Sequence, residues 1–62
     1  MFEPGMIVQT VYPEWDIEFI PAGTKITLER PNDVKAEYWY GATMLNGRER
    51  VVLVLANNLK LV

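Results

Sequence analysis

The chain has no cysteine and no histidine. The first absence excludes the disulfides that many small domains use to supplement a small core, and it removes the thiol nucleophile. The second removes the commonest general base and the commonest metal ligand. A metal site would have to be built from carboxylates alone, and no stretch has the acidic spacing of a calcium loop. We therefore expect no cofactor, no metal and no enzymatic activity. Long apolar runs are missing too. Nothing approaches the ~20 residues of a membrane-spanning helix, and Met1 to Thr10 has neither the basic start nor the apolar stretch of a signal peptide. A cytoplasmic protein without membrane association is the expectation, and the lack of cysteine fits that compartment. A surplus of positive charge is also absent. Six basic residues stand against eight acidic ones, for a net charge of −2. Domains that grip phosphates usually carry the opposite balance, which argues against nucleic acid as the partner.

What remains is enough for one domain, residues 1–62. A chain this short buries only about 60% of the surface it exposes when unfolded. The 50% of residues that are hydrophobic must supply the core, or the chain must self-associate. Prolines and glycines recur at intervals, at Pro4-Gly5, Pro13, Pro21-Ala22-Gly23, Pro31, Gly41 and Asn46-Gly47. Between them lie short runs rich in β-branched and aromatic residues, the pattern of a small sandwich or barrel. Five strands are predicted, over Met6 to Val11, Lys25 to Arg30, Ala36 to Leu45, Arg48 to Leu55 and Leu59 to Val62. A long first loop covers Tyr12 to Ile20. Pro21-Ala22-Gly23 reads as a tight turn, and Asn57-Asn58 bends the backbone before the last strand.

Asn46-Gly47 is the strongest local signal. Both central positions of a type I′ turn need positive φ, which Asn and Gly tolerate best. A two-residue loop puts Leu45 opposite Arg48, Thr43 opposite Arg50, Ala42 opposite Val51, Tyr40 opposite Leu53 and Trp39 opposite Val54. Side chains alternate along each strand. One face then carries Tyr38, Tyr40, Ala42, Val51, Leu53 and Leu55; the other carries Trp39, Gly41, Thr43, Arg50, Val52 and Val54. The first is the more apolar near the turn and is expected to face the core. The second holds Thr43 and Arg50, which suit water, and would leave Trp39, Val52 and Val54 as an outward apolar patch. A bulge would reverse the far half of this assignment. On the strand before the hairpin, Ile26 and Leu28 are expected inward and Lys25, Thr27 and Glu29 outward.

In this order the features resemble an SH3 domain. Val11-Tyr12 resembles the start of that family's Ala-Leu-Tyr-Asp-Tyr segment. Glu14 to Thr24, and especially Ile17-Glu18-Phe19-Ile20-Pro21-Ala22-Gly23-Thr24, resembles its acidic loop and diverging turn. Trp39 sits near the aromatic pair that opens the third strand. Asn46-Gly47-Arg48-Glu49 resembles the distal hairpin turn, and Ala56-Asn57-Asn58-Leu59 lies where the family has Pro-x-Asn-Tyr. The resemblance covers nearly the whole chain and implies a five-stranded SH3-like barrel. It also implies that Trp15 and Trp39 approach each other on one surface. There are departures: the loop after Tyr12 is short, and Ala56 and Leu59 replace the Pro and Tyr that help to grip proline-rich peptides. The family's usual ligand is therefore not expected. Stand-alone proteins of this kind occur as accessory subunits and as small phage-encoded proteins acting on a host protein. A chain that starts at Met1 and ends on a strand reads as such a whole gene product, of prokaryotic or viral source.

The candidate sites follow. Tyr38, Trp39 and Tyr40 are either strand core or, for an outward Trp39, an anchor for a partner. Glu14, Trp15, Asp16 and Glu18 form an acidic loop around a tryptophan, either a solvated lid on the barrel or a contact for a basic or apolar partner. Lys25, Arg30, Lys35, Arg48 and Arg50 are an ordinary mixed surface or, if gathered beside aromatics, a nucleic-acid platform. Glu14 and Asp16 could in principle act as a catalytic carboxylate pair, but no cleft is evident. The reading favoured at this level is a non-enzymatic protein-interaction module or accessory subunit. It would contact a protein partner, or another copy of itself, through Trp15, Trp39, Glu14, Asp16, Glu18, Val52 and Val54.

Overall fold

The computed structural model describes residues 2–16 and 18–62. Met1 and Ile17, the latter part of the segment compared with the diverging turn, lie outside the described residues. The strands are β1 (Ile7–Thr10), β2 (Glu14–Trp15), β3 (Phe19–Ile20), β4 (Lys25–Pro31), β5 (Tyr38–Leu45), β6 (Arg48–Leu55) and β7 (Leu59–Leu61), with a 3₁₀ turn at Ala56–Asn58. Five of them make one antiparallel sheet in the order β6-β5-β4-β1-β7. The two end strands, β6 and β7, are not paired with each other, so the sheet is open rather than closed into a barrel. The predicted first loop contains a small hairpin of its own, β2 with β3.

Local chemistry accounts for the connections. Asn46 and Gly47 take φ of 52° and 76°, and the β5–β6 register runs from Leu45↔Arg48 to Tyr38↔Leu55 as the two-residue turn requires. At Pro21–Thr24 the turn is fastened to β1. The Gly23 N–H donates to the Thr10 carbonyl at 2.8 Å. The buried Thr10 hydroxyl donates to the Pro21 carbonyl at 2.9 Å and accepts from the Thr24 N–H at 3.1 Å. Between β4 and β5, the Asn32 side-chain oxygen accepts from the N–H groups of Val34 and Lys35, so the backbone turns there and β5 starts at Tyr38, later than expected. A register shift between Leu28 and Arg30 leaves Glu29 unpaired in β4.

The β5–β6 register is the expected one, but its faces are reversed. Trp39, Gly41, Thr43 and Leu45 of β5 and Val52 and Val54 of β6 are buried. Tyr38, Tyr40, Ala42, Leu53 and Leu55 are only half-buried, and Val51 is exposed. The cause lies in the neighbouring strand. Ile26 and Leu28 point inward as the alternation of β4 demands, each 1% exposed. The β4–β5 register sets Leu28 opposite Gly41 and Thr27 opposite Ala42. Residues opposite each other share a face, so Gly41 must go in with Leu28, and Val52 with Gly41. Two polar residues had argued the other way. Thr43 is accommodated inside because its hydroxyl donates to the Lys25 carbonyl at 2.7 Å. Arg50 lies on the core side near the end of the hairpin but reaches out to Glu18, Nε to Oε1 3.0 Å. Gly41 is required where β5 passes under β4: a Cβ there would run into Ile26 Cγ2.

The core is Val8, Ile20, Ile26, Leu28, Trp39, Leu45, Val52, Val54 and Leu59, with Phe2, Met6 and Ala56 packed against it. Among the described residues no helix is long and apolar enough to cross a membrane.

Candidate interaction surface

β6 is an edge strand. In an antiparallel pair, alternate residues turn their N–H and C=O away from the partner strand, and at a sheet edge these groups need other partners. The β2–β3 hairpin supplies them. The Leu55 N–H donates to Glu14 Oε1 and the Leu53 N–H to Asp16 Oδ2, each at 3.2 Å. Farther along, Glu18 pairs with Arg50 and accepts from Asn46 Nδ2 at 3.2 Å. The acidic residues of the first loop are thus spaced to replace a missing strand at the edge of β6.

Asn58 secures the start of this hairpin. Its side chain is buried and behaves as an extra backbone amide. Oδ1 accepts from the Tyr12 N–H at 2.7 Å, and Nδ2 donates to the Tyr12 carbonyl at 2.8 Å and to Glu14 Oε2 at 2.6 Å. From the sequence Asn58 was expected only to bend the chain. Its buried amide pattern depends on Tyr12 and Glu14, which are remote in sequence, and left no local signal.

Within the hairpin, Glu14 faces Ile20 and Trp15 faces Phe19. Ile20 is fully buried, so the Trp15–Phe19 pair lies on the opposite, outer side. The two rings are 5.0 Å apart between centroids and tilted by 52°, a cross-strand aromatic contact at the low end of the ~0.2–1 kcal/mol such pairs contribute, because both rings are exposed. Trp15 is nonetheless 77% exposed. Phe19 and Tyr12 are also exposed. The sequence does not mark either as a site residue, because the pairing of Phe19 with Trp15 depends on a hairpin inside a segment that reads as a loop.

The expected surface therefore divides. Trp15 is on the outside. Glu14, Asp16 and Glu18 are beside it but bonded to β6 and its turn. Trp39, Val52 and Val54, expected to face outward, are in the core, at 9%, 3% and 0% exposure. The resemblance-based expectation that Trp15 and Trp39 share a surface is not met: Trp15 lies against Phe19 while Trp39 packs inside. The basic residues do not gather. Lys25, Arg48 and Arg50 lie toward the Asn46–Gly47 end of the sheet, Arg30 and Lys35 toward the other. Arg50 is paired with Glu18, and the Arg30 guanidinium sits 4.2 Å above the Tyr40 ring.

No family model, no curated protein and no solved structure matches this chain.

Proposed function

We propose that this chain is a non-enzymatic, cytoplasmic protein-interaction module or small accessory subunit, with an SH3-like arrangement of strands, that takes a protein partner on the Trp15–Phe19 pair. The order of features supports the SH3-like reading. A hairpin-forming acidic loop follows β1, a tight turn leads into β4, a two-residue turn joins β5 and β6, and a short last strand returns beside β1. One observation carries the functional reading: a Trp–Phe pair in ring contact is displayed outward on a hairpin whose own carboxylates are bonded to the sheet behind it. Large aromatic groups on a rigid support contribute most where a partner covers them. Because each of the three carboxylates has a donor within the chain, the partner reads the aromatic pair, and the acids hold that pair in place.

The test compares wild-type chain with Trp15→Ala and Phe19→Ala as affinity baits. Both variants keep the wild-type circular dichroism spectrum and lose the specific protein retained by wild type. A control substitution at the exposed Val34 retains it. Equal retention by all four chains sinks the reading.

A further inference from the structure

Opposite the core, the face of β5 and β6 is largely apolar and, among the described residues, open to solvent except where the Arg30 guanidinium lies over Tyr40. Ile7, Met44 and Val51 are 54%, 63% and 55% exposed, and Tyr40, Ala42, Leu53 and Leu55 lie half-buried among them. Val51 to Leu55 contains no polar residue, the pattern of a strand covered on both sides. The three strands β4 to β6, at about 4.8 Å spacing and some six residues at about 3.3 Å each, give a face on the order of 300 Å² in projection. That is the size of the largest patch on many monomers, often a functional one, and two copies bury an area suited to a weak, concentration-dependent contact.

Two charges on this face, Lys25 and Glu49, are arranged to match a copy of the same face, while a third, Arg30, is folded onto Tyr40. β4, β5 and β6 lie side by side, with Thr27 opposite Ala42 and Ala42 opposite Val51. Two residues toward the turn, Lys25, Met44 and Glu49 form the next row, with the two opposite charges flanking the methionine. A two-fold axis along β5 exchanges the positions of β4 and β6. It therefore sets Lys25 of each copy against Glu49 of the other, and Met44 against Met44. Two sheets packed face to face lie about 10 Å apart with strands within about 30° of each other, a gap that an extended Lys and Glu span together. Beside Met44 is an open depression of about 550 Å³, bordered by Lys25, Thr27, Ala42 and Glu49. The flexible Met44 side chain of a second copy suits such an irregular hollow.

We propose that the chain forms a two-fold symmetric homodimer through the outer face of β4, β5 and β6, with two reciprocal Lys25–Glu49 pairs setting its register. The surface is distinct from the Trp15–Phe19 pair, so each can fail alone. Analytical ultracentrifugation over a concentration series tests it. The wild-type mass rises from 7.1 kDa toward twice that value. Lys25→Glu and Glu49→Lys each place like charges across the interface, and each moves the midpoint at least about tenfold higher in concentration. An equimolar mixture of these two variants regains the doubled mass, because every pair across the mixed interface is then of opposite sign. Both side chains are exposed, so both variants fold, which circular dichroism checks. Trp15→Ala leaves the doubling unchanged. A wild-type chain that stays at 7.1 kDa throughout overturns the proposal. So does doubling that neither single reversal weakens, a mixture that remains monomeric, or loss of doubling in Trp15→Ala.

Discussion

The molecule contains two hairpins built on opposite terms. In β5–β6, eight residues pair on each strand, and one face of the pair is buried in the core except for Arg48 and Arg50 near the turn. In β2–β3, two pairs form, and Ile20 is the fully buried residue among them. The larger hairpin is held by removal of apolar surface from water. The smaller is held against the larger by carboxylates that accept from edge N–H groups, one of them also bonded by the Asn58 amide. Each hairpin carries one of the two tryptophans, and the environment reverses their roles. Trp39 is structural, and Trp15 is displayed.

Stability measurements on four variants would break or sharpen this contrast. Trp39→Ala removes the largest side chain of the core and is expected to cost about 3–5 kcal/mol. A chain of this size commands little more than that in total, so the variant should lack a cooperative urea transition at room temperature. Next comes Asn58→Ala. It strands the Tyr12 amide and carbonyl groups and is expected to cost about 1–3 kcal/mol, with faster hydrogen exchange at the Tyr12 amide as its local signature. Asp16→Ala should cost about 0.5–1 kcal/mol and speed exchange at the Leu53 amide, because one hydrogen bond at a partly wetted edge is lost. Trp15→Ala should have the smallest effect, within about 0.5 kcal/mol, since the side chain is mostly in water already and its contact with Phe19 is worth only a few tenths of a kcal/mol at such an exposed site. If Trp15→Ala and Trp39→Ala destabilised the chain equally, the division between a structural and a displayed tryptophan would be wrong.

Several features were legible because single residues carry them. The β5–β6 register follows from Asn46-Gly47, the inward positions of β4 follow from its alternation, and the turn at Pro21 follows from its proline and glycine. The inward face of β5–β6 was not legible. Its two faces are both rich in apolar residues, and the polar residues nearest the turn, Thr43 and Arg50, sit on the side that is buried. Counting apolar residues near the turn therefore selects the wrong side. The acidic loop was only partly legible. Its charges and Trp15 stand out, but nothing nearby in sequence says that Glu14 and Asp16 would reach the amides of Leu55 and Leu53.

From the sequence alone came an all-β chain and the position and register of its main hairpin. Those depend on backbone preferences and on alternation within one strand, which short stretches of chain encode. Tertiary structure decided which face of that hairpin enters the core, where the carboxylates are used, and that Trp39 is hidden. Each of these depends on a neighbour distant in sequence: Leu28 opposite Gly41, the Leu53 and Leu55 amides beside Asp16 and Glu14, and the pocket closed around Trp39. A side chain's surroundings come from strand pairing, and pairing between β4 and β5 leaves no mark in either strand read by itself.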